Sequence, residues 1–192
     1  MVGCDEEFKT IKDHLTPQSA KLLQLVSIVG MGGIGKTTLA RKVYEDPSIT
    51  SYVYKQAWVT VSQEYTMGKI LRCLIGCVSA SSDEQSSDPG QLAESLRKNV
   101  KDQRYLIVID DIWSKEAWDS VQRCFPNDDN GSRILLTSRV REVAEYAASS
   151  SDYEIHAKTL VKLWAAEGFF GAVVEKGEVV QEIGGRKLKR ID

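Results

Sequence analysis

Four short apolar runs recur along the first 140 residues, and amphipathic stretches lie between them. The runs are LLQLVSIVG, QAWVTVS, YLIVIDDIW and SRILLTSR. Nearly continuous apolar runs of this length are typical of strands in a parallel sheet that helices cover on both faces. The stretches that follow, such as KTTLARKVYED, place apolar residues three and four positions apart, which predicts helices. This alternation predicts a doubly wound α/β fold with a mainly parallel sheet.

The pattern changes near residue 150. Residues 160–170 have helical spacing, residues 172–180 favour strand, and the chain ends in the basic stretch RKLKRID. We therefore predict a full domain over residues 1–150 and a fragment of a second over residues 151–192. A further hypothesis places EIHAK, residues 154–158, at the edge of the sheet as a fifth strand.

Composition and charge narrow the function classes. The 192 residues carry a net charge of −2, so no positive field favours nucleic acid as a partner. No run approaches the roughly 20 apolar residues of a membrane span, and the acidic start MVGCDEEFK is unlike a signal peptide. The cysteines form no CxxC pair, and we expect Cys73 and Cys77 to be buried free thiols on one helix face. These features predict a cytoplasmic protein.

The first apolar run leads into the glycine-rich stretch GMGGIGKTT, which begins at residue 30. Its spacing matches G-x-x-x-x-G-K-[ST], the pattern of a phosphate-binding loop. Such a loop wraps a polyphosphate with main-chain N–H groups, so it needs close approach and positive φ values that side chains hinder. We expect the four glycines of this stretch to remove both obstacles: Gly30, Gly32, Gly33 and Gly35.

Three residues at the start of the next predicted helix complete this interpretation. Lys36 is expected to reach the β- and γ-phosphates, and Thr37 to bind Mg²⁺ through its hydroxyl. Thr38 offers a further hydroxyl near the α-phosphate. The free N–H groups and the positive end of the helix dipole favour the same anion. The alternative is a glycine-rich turn without a ligand, but the position between a strand and a helix favours phosphate binding.

The third and fourth predicted strands each end in charged residues. Asp110 and Asp111 end the third, and Arg139 ends the fourth. Ligands bind at the carboxyl ends of strands in open α/β sheets, so Asp110 is expected to hold Mg²⁺ and Asp111 to orient or deprotonate a water. Arg139 is expected to contact the γ-phosphate and so distinguish ATP from ADP. The structural alternatives are a pair of helix-capping acids and a solvated arginine.

Taken in order, GMGGIGKTTLA, YKQAWVTVSQEY, YLIVIDDIW and GSRILLTSR closely resemble the NB-ARC domain of plant NLR disease-resistance proteins. Trp113 after the two acids resembles the coiled-coil branch of that family. The resemblance covers about residues 1–150. It implies a P-loop NTPase three-layer fold.

The resemblance also implies a function. Members are switches that are off with ADP and on with ATP, and slow ATP hydrolysis resets them. The opening Val2-Gly3 is similar to a segment that contacts adenine in the family. The same analogy assigns phosphate contacts to the loop and the lysine and threonines after it, a metal to Asp110, and γ-phosphate sensing to Arg139. Other NLR chains or signalling proteins are the implied protein partners.

The final segment departs from the family pattern. After VREVAEYA the expected GLPLA motif does not follow, and the MHD motif is missing from the sequence. Residues 152–170 instead resemble part of the later winged-helix domain, which implies a helical remnant of that domain and an internal loss near residues 150–152. We therefore expect a truncated form that binds ADP or ATP without switching autonomously. The alternatives are a P-loop ATPase or small-molecule kinase, and a non-switching decoy or interaction module.

Overall fold

The computed structural model describes residues 5–16, 21–61, 64–79 and 87–149, together with the backbone of four short strands after residue 158. In chain order the elements are α1 (Asp5–Leu15), β1 (Gln24–Gly30), α2 (Lys36–Tyr44), α3 (Pro47–Thr50), β2 (Lys55–Thr60), α4 (Met67–Val78), α5 (Pro89–Val100), β3 (Tyr105–Asp110), α6 (Lys115–Gln122), β4 (Arg133–Ser138), α7 (Arg141–Ser149), β5 (Thr159–Leu163), β6 (Val173–Val174), β7 (Glu182–Ile183) and β8 (Arg186–Lys187).

Six strands form the main sheet in the order β2-β3-β4-β1-β5-β6. The first five are parallel to their neighbours, and β6 runs antiparallel to β5. The mainly parallel sheet predicted from the apolar runs is confirmed. Strand β4 lies between β1 and β3, so the glycine-rich loop and the two acids end strands that are separated by one strand.

Helices cover both faces of this sheet. Alternate residues of a strand point to opposite faces, so each apolar strand presents apolar side chains to both layers of helices. Leu25, Ile107 and Ile134 belong to the apolar cluster that includes α4, α5, α6 and α7. Their chain neighbours Val26 and Leu135 belong to the opposite cluster, which includes α1, α2 and α3. The central strands β3 and β4 are buried at every position. This is the three-layer arrangement that the sequence predicts.

Helix α5 begins as the sequence predicts. The side chain of Asp88 accepts a hydrogen bond from the main-chain N–H of Gln91 at 2.9 Å, and Pro89 is the first helical residue. A proline costs nothing at that position because its missing N–H would have no intrahelical acceptor. The longest helices in the described part of the chain have 12 residues, and none of them could cross a bilayer.

The helix predicted over residues 160–170 is wrong at its start. Thr159–Leu163 form strand β5, which pairs in parallel with β1 from Val26 to Gly30. The physical reason is that this pairing satisfies main-chain groups on the side of β1 away from β4, which outweighs the helical spacing of the side chains. The fifth strand therefore starts after the predicted EIHAK segment, which lies outside the described residues. The proposed boundary at residue 150 stays a prediction.

The expectation of buried thiols in α4 is also wrong. Cys73 and Cys77 lie on one helix face, as predicted, but that face is exposed, whereas Cys124 is buried. The apolar stripe of α4 that packs in the core is formed instead by Ile70, Leu71, Leu74, Ile75 and Val78.

Candidate nucleotide site

The glycine-rich loop connects β1 to α2 and owes its shape to two of its glycines. Gly33 has φ 78° and Gly35 has φ 99°, both in the left-handed region that side chains disfavour. A Cβ added at Gly33 would meet no atom within 4 Å, so its conformation and not crowding requires glycine there. Gly30 and Gly32 do not have positive φ, so the predicted need for it holds for two of the four glycines.

Helix α2 starts at the rim of this loop with its first amides open. Gly35 is the N-cap residue and offers no side chain to cap the helix, and its carbonyl accepts the hydrogen bond from Leu39 at 2.8 Å. The N–H groups of Lys36, Thr37 and Thr38 belong to the first turn and have no acceptor within the helix. These three residues line a cavity at this end of the helix, where the positive end of the helix dipole suits an anion.

Lys36 bends back across the loop. Its ammonium donates hydrogen bonds to the carbonyls of Gly30 and Met31, both at 2.8 Å, so two of its three protons hold the loop and one is left for a ligand. Burial lowers the pKa of Lys36, the carboxylates of Asp111 and Asp110 oppose that shift, and Arg139 adds to it. An anion beside this partly desolvated ammonium would favour its charged form.

Asp110 is buried at the end of β3 and receives hydroxyl groups from three elements. Thr37 in α2 donates to its carboxylate at 2.9 Å, and Thr137 in β4 donates at 2.7 Å. Thr60, which pairs with Asp110 in the β2–β3 ladder, lies 3.5 Å from Oδ2. The structure thus brings together Thr37 and Asp110, the two residues predicted to hold Mg²⁺.

Asp111 and Arg139 bind each other in the structure. The Nε and Nη2 groups of Arg139 donate to the two carboxylate oxygens of Asp111 at 2.9 and 2.8 Å. Asp111 has φ 57°, uncommon for a residue with a side chain, and its N–H donates to the hydroxyl of Thr137 at 2.8 Å. The two residues predicted to act on the γ-phosphate and on water are therefore one ion pair at the rim of the site.

These residues line one open cavity of about 360 Å³ at the carboxyl edge of the sheet. Its lining contains most of the predicted residues and one unpredicted threonine: Gly33, Gly35, Lys36, Thr37, Thr38, Thr60, Asp110, Asp111 and Arg139. Gly30 is at the end of β1, and Gly32 lies under Arg139, whose Nη1 would be 3.6 Å from a Cβ added there. Val2 and Gly3, predicted to contact adenine, lie outside the described residues.

Sequence reasoning missed Thr60 and Thr137. Thr60 is the last residue of β2 and Thr137 is the second-to-last residue of β4, both strands lie beside β3, and each threonine contacts Asp110 through its hydroxyl. A signal was present, because hydroxyl residues at the carboxyl ends of neighbouring parallel strands meet at the same edge of a sheet. The missing information was the strand order, which decides that β2 and β4 are the neighbours of β3.

The donor set can hold a phosphate chain with a hard cation. Open amides and an ammonium suit phosphate oxygens, and a threonine hydroxyl beside a carboxylate supplies the oxygen ligands that Mg²⁺ prefers. Among the described residues no cluster of three or more histidine, cysteine or acidic side chains could hold a metal by itself. Mg²⁺ usually keeps several waters and shares its coordination with substrate phosphates, so a hydroxyl and a carboxylate suffice as its protein ligands.

Plant disease resistance proteins are similar in sequence to most of this chain. The disease resistance protein RPP13 of Arabidopsis thaliana is 38% identical over 150 residues, which are 76% of this chain and 18% of that protein. The putative late blight resistance protein homolog R1B-16 of Solanum demissum is 42% identical over 153 residues, 79% of this chain and 12% of that protein. The chain thus spans less than a fifth of either relative.

Solved structures with the same fold are more distant. The ORC2 protein of Aeropyrum pernix, in ADPNP-ADP complexes, has a TM-score of 0.61 and 19% identity over 86% of this chain and 48% of its own. The ORC1 protein of Aeropyrum pernix, in complex with DNA, has a TM-score of 0.58 and 18% identity over 83% of this chain and 45% of its own. These likenesses show the fold alone.

The family model of the NB-ARC domain matches residues 4–176. The match includes the glycine-rich loop, the paired acids and the arginine whose side chains line the cavity. Because the matched range also includes β5 and β6, it extends through the strands that complete the sheet beyond β1. The chain belongs to the NB-ARC family of P-loop nucleotide-binding domains.

Proposed function

We propose that the chain binds ADP and ATP with Mg²⁺ at this cavity, as the nucleotide-binding domain of a plant immune receptor. The observation that carries the proposal is the meeting of open α2 amides with the Thr37–Asp110 pair at one cavity rim. The disease-resistance relatives support the biological setting. The reaction that the site supports is at most slow ATP hydrolysis.

The phosphate chain is held by the loop and by the start of α2. Lys36, Thr37 and Thr38 line the cavity with N–H groups that have no partner within the helix, and the third ammonium proton of Lys36 is available to a β- or γ-phosphate oxygen. Gly33 leaves open space where a side chain would stand against the phosphates. Thr38 adds its hydroxyl on the exposed side of the helix start.

The residues present fit Mg²⁺. Thr37 and Asp110 already place a hydroxyl and a carboxylate 2.9 Å apart at the cavity, and both are oxygen ligands. When bound, Mg²⁺ neutralises charge on the phosphates. Asp110 is 3% exposed and held by threonine hydroxyls, so its orientation is set before the cation arrives.

The ion pair of Asp111 and Arg139 separates the two nucleotide states. Arg139 is 62% exposed and lies over the loop at Gly32, so its guanidinium can turn towards a γ-phosphate if it leaves Asp111. Asp111 would then be available to orient a water for attack on that phosphate. ADP offers no γ-phosphate, so the pair stays closed when ADP is bound.

Several parts of the proposal rest on the family resemblance. These are adenine contacts near Val2 and Gly3, association with other NLR chains or signalling proteins, and a cytoplasmic location. A winged-helix-like segment over residues 151–192 and an internal loss near residues 150–152 stay predictions, as do the kinase and decoy alternatives. The bidentate pairing of Asp111 favours a slow ATPase over a rapid enzyme, because its carboxylate is occupied by Arg139.

Calorimetric titration with ADP and Mg²⁺ tests the proposal. We expect saturable binding, and an affinity loss of about 100-fold in Lys36→Ala, the size expected for charge-assisted hydrogen bonds to phosphate. The matched control is Lys42→Ala in the same helix, whose ammonium binds the exposed Asp5 at 3.0 Å. Equal ADP affinity in the native protein and Lys36→Ala, or no binding by the native protein, would refute the proposed site.

A further inference from the structure

Thr60 lies at the cavity beside the carboxylate of Asp110. It ends the edge strand β2, lines the cavity, and pairs with Asp110 across the β2–β3 ladder. Its hydroxyl oxygen is 3.5 Å from Oδ2 of Asp110, on the exposed side of that carboxylate. Thr137 approaches the other oxygen, Oδ1, from the buried side at 2.7 Å.

The direction of the Thr60 hydroxyl proton follows from its second contact. The indole N–H of Trp58 donates to the Thr60 hydroxyl at 3.3 Å, and an indole nitrogen can only donate. The oxygen of Thr60 therefore accepts from Trp58, and its own proton is left to point at Asp110 or at a water between them. Trp58 is itself fixed by an edge contact with Tyr44, with ring centroids 5.5 Å apart, and by Arg41 over its face at 4.9 Å.

Thr137 follows the same logic on the buried side. Its oxygen accepts the N–H of Asp111 at 2.8 Å, so its proton is directed to Asp110. Two fixed donors, the indole N–H of Trp58 and the main-chain N–H of Asp111, thus orient two hydroxyl protons towards the two oxygens of one carboxylate. The difference is exposure, because Thr137 is fully buried while Thr60 faces the cavity, where hydrated Mg²⁺ would lie.

We infer that Thr60, oriented by the indole of Trp58, is a positioning residue for the hydrated Mg²⁺ that accompanies the nucleotide. Its hydroxyl holds Oδ2 of Asp110 directly or through a water that the cation binds. The inference rests on the proposed function and deepens it. It separates two contributions at the site, since Thr60 acts on the cation while the loop amides and Lys36 act on the phosphates.

The test compares ADP binding with and without Mg²⁺ in the intact chain. In Thr60→Val we expect the Mg²⁺ concentration for half-maximal enhancement of ADP affinity to rise about fivefold, the size of one net hydrogen bond. The ADP affinity in EDTA should not change. Thr60→Ser keeps the hydroxyl and should restore the native Mg²⁺ dependence, and Trp58→Phe should shift it in the same direction as Thr60→Val.

The matched control is Thr50→Val, an exposed threonine whose hydroxyl donates to the main-chain carbonyl of Asp46 in α3. Thermal unfolding of each variant checks that β2 is intact, and valine suits a strand position. Native Mg²⁺ dependence in Thr60→Val, or equal losses with and without Mg²⁺, would overturn the role of Thr60 but leave the proposed function standing. Failure of the native protein to bind ADP would overturn both.

Discussion

Polar side chains have different roles at the two ends of the parallel strands. We call the N-terminal ends of the strands the amino edge of the sheet and their C-terminal ends the carboxyl edge. At the amino edge, Arg104 donates to the main-chain carbonyls of Asn130 and Tyr52, and Arg133 donates to those of Leu22 and Ser132. At the carboxyl edge, the hydroxyls of Thr37 and Thr137 and the guanidinium of Arg139 bind carboxylates.

The acceptors of these arginine hydrogen bonds at the amino edge are therefore main-chain carbonyls, and further hydrogen bonds there connect loops to strands. Asn130 donates to the carbonyl of Gln103 at 2.9 Å, and the N–H of Tyr105 donates to the hydroxyl of Ser132 at 3.1 Å. Such bonds tie loop to strand and leave the polar groups satisfied inside the fold. At the carboxyl edge, open amides face a cavity, and side chains are held in position by one another. A polar cluster indicates a binding site when its groups converge on open space, and it indicates a structural role when they close on the backbone.

The largest expected effect is a loss of stability on removal of the buried arginine at the amino edge. Arg133→Ala should lower the free energy of unfolding by about 3 kcal/mol, because it leaves a cavity and removes donors from two carbonyls. Arg133 is 0% exposed, and burial lowers the pKa of its guanidinium. Chemical denaturation measures the stability, and ADP titration of the folded variant should give the native affinity.

The counterpart at the carboxyl edge is Arg139→Ala. Its ion pair with Asp111 is exposed, so its loss should change the unfolding free energy by less than about 1 kcal/mol. Similar stability losses in both variants, or weakened ADP binding by folded Arg133→Ala, would contradict the separation of a structural edge from a functional edge.

A second prediction concerns the competition for Arg139 at the carboxyl edge. Asp111→Asn should bind a non-hydrolysable ATP analogue more tightly relative to ADP. The reason is that Arg139 would no longer have to break an ion pair with Asp111 before its guanidinium contacts the γ-phosphate. Arg139→Gln should lower the same ratio about tenfold, or about 1.4 kcal/mol, as expected for one charged contact. Paired titrations with the analogue and ADP give the ratio.

The control for that series is Arg141→Gln, whose guanidinium binds Glu145 on the surface of α7. It should leave the ratio unchanged because that pair lies within one helix and does not line the cavity. An unchanged ratio in both Asp111→Asn and Arg139→Gln would show that the ion pair plays no part in nucleotide selection.

The central sheet could be predicted from the sequence, because strands that are buried on both faces are nearly continuous apolar runs in the sequence. The runs that became β1, β3 and β4 end at Gly30, Asp110 and Ser138, next to or at the residues chosen for phosphate and metal binding. The end of the chain was not accessible in this way. Residues 160–170 have helical spacing, and the strand at Thr159–Leu163 is explained by its pairing with the side of β1 away from β4, which is a long-range feature.

The site shows the same limit. A local motif identifies Lys36 and Thr37, since their roles follow from the loop that they close. Thr60 and Thr137 belong to no local motif, and their position at strand ends was not enough to identify them, because their closeness to Asp110 depends on which strands flank β3. The pairing of Asp111 with Arg139 likewise depends on the left-handed turn at Asp111, a conformation that its sequence neighbourhood does not specify.

The smallest expected effect sharpens the comparison with a matched pair of glycines. Gly33 at the carboxyl edge has φ 78°, and Gly131 at the amino edge has φ 80°. Alanine at either position should cost about 1 kcal/mol of unfolding free energy, because it forces a side chain into the left-handed region. The N–H of Gly131 donates to the carbonyl of Lys21 and so belongs to the closed edge, whereas Gly33 lines the cavity.

Gly33→Ala should therefore also weaken ADP binding, by about fivefold, since its methyl group would enter open space at the phosphate position. Gly131→Ala should bind ADP as the native protein does despite its loss of stability. Because the two variants share a backbone cost, their difference in ADP affinity isolates the contribution of the cavity from that of the fold. Equal affinities would place the phosphates away from Gly33 and leave the amides of α2 as their main contact.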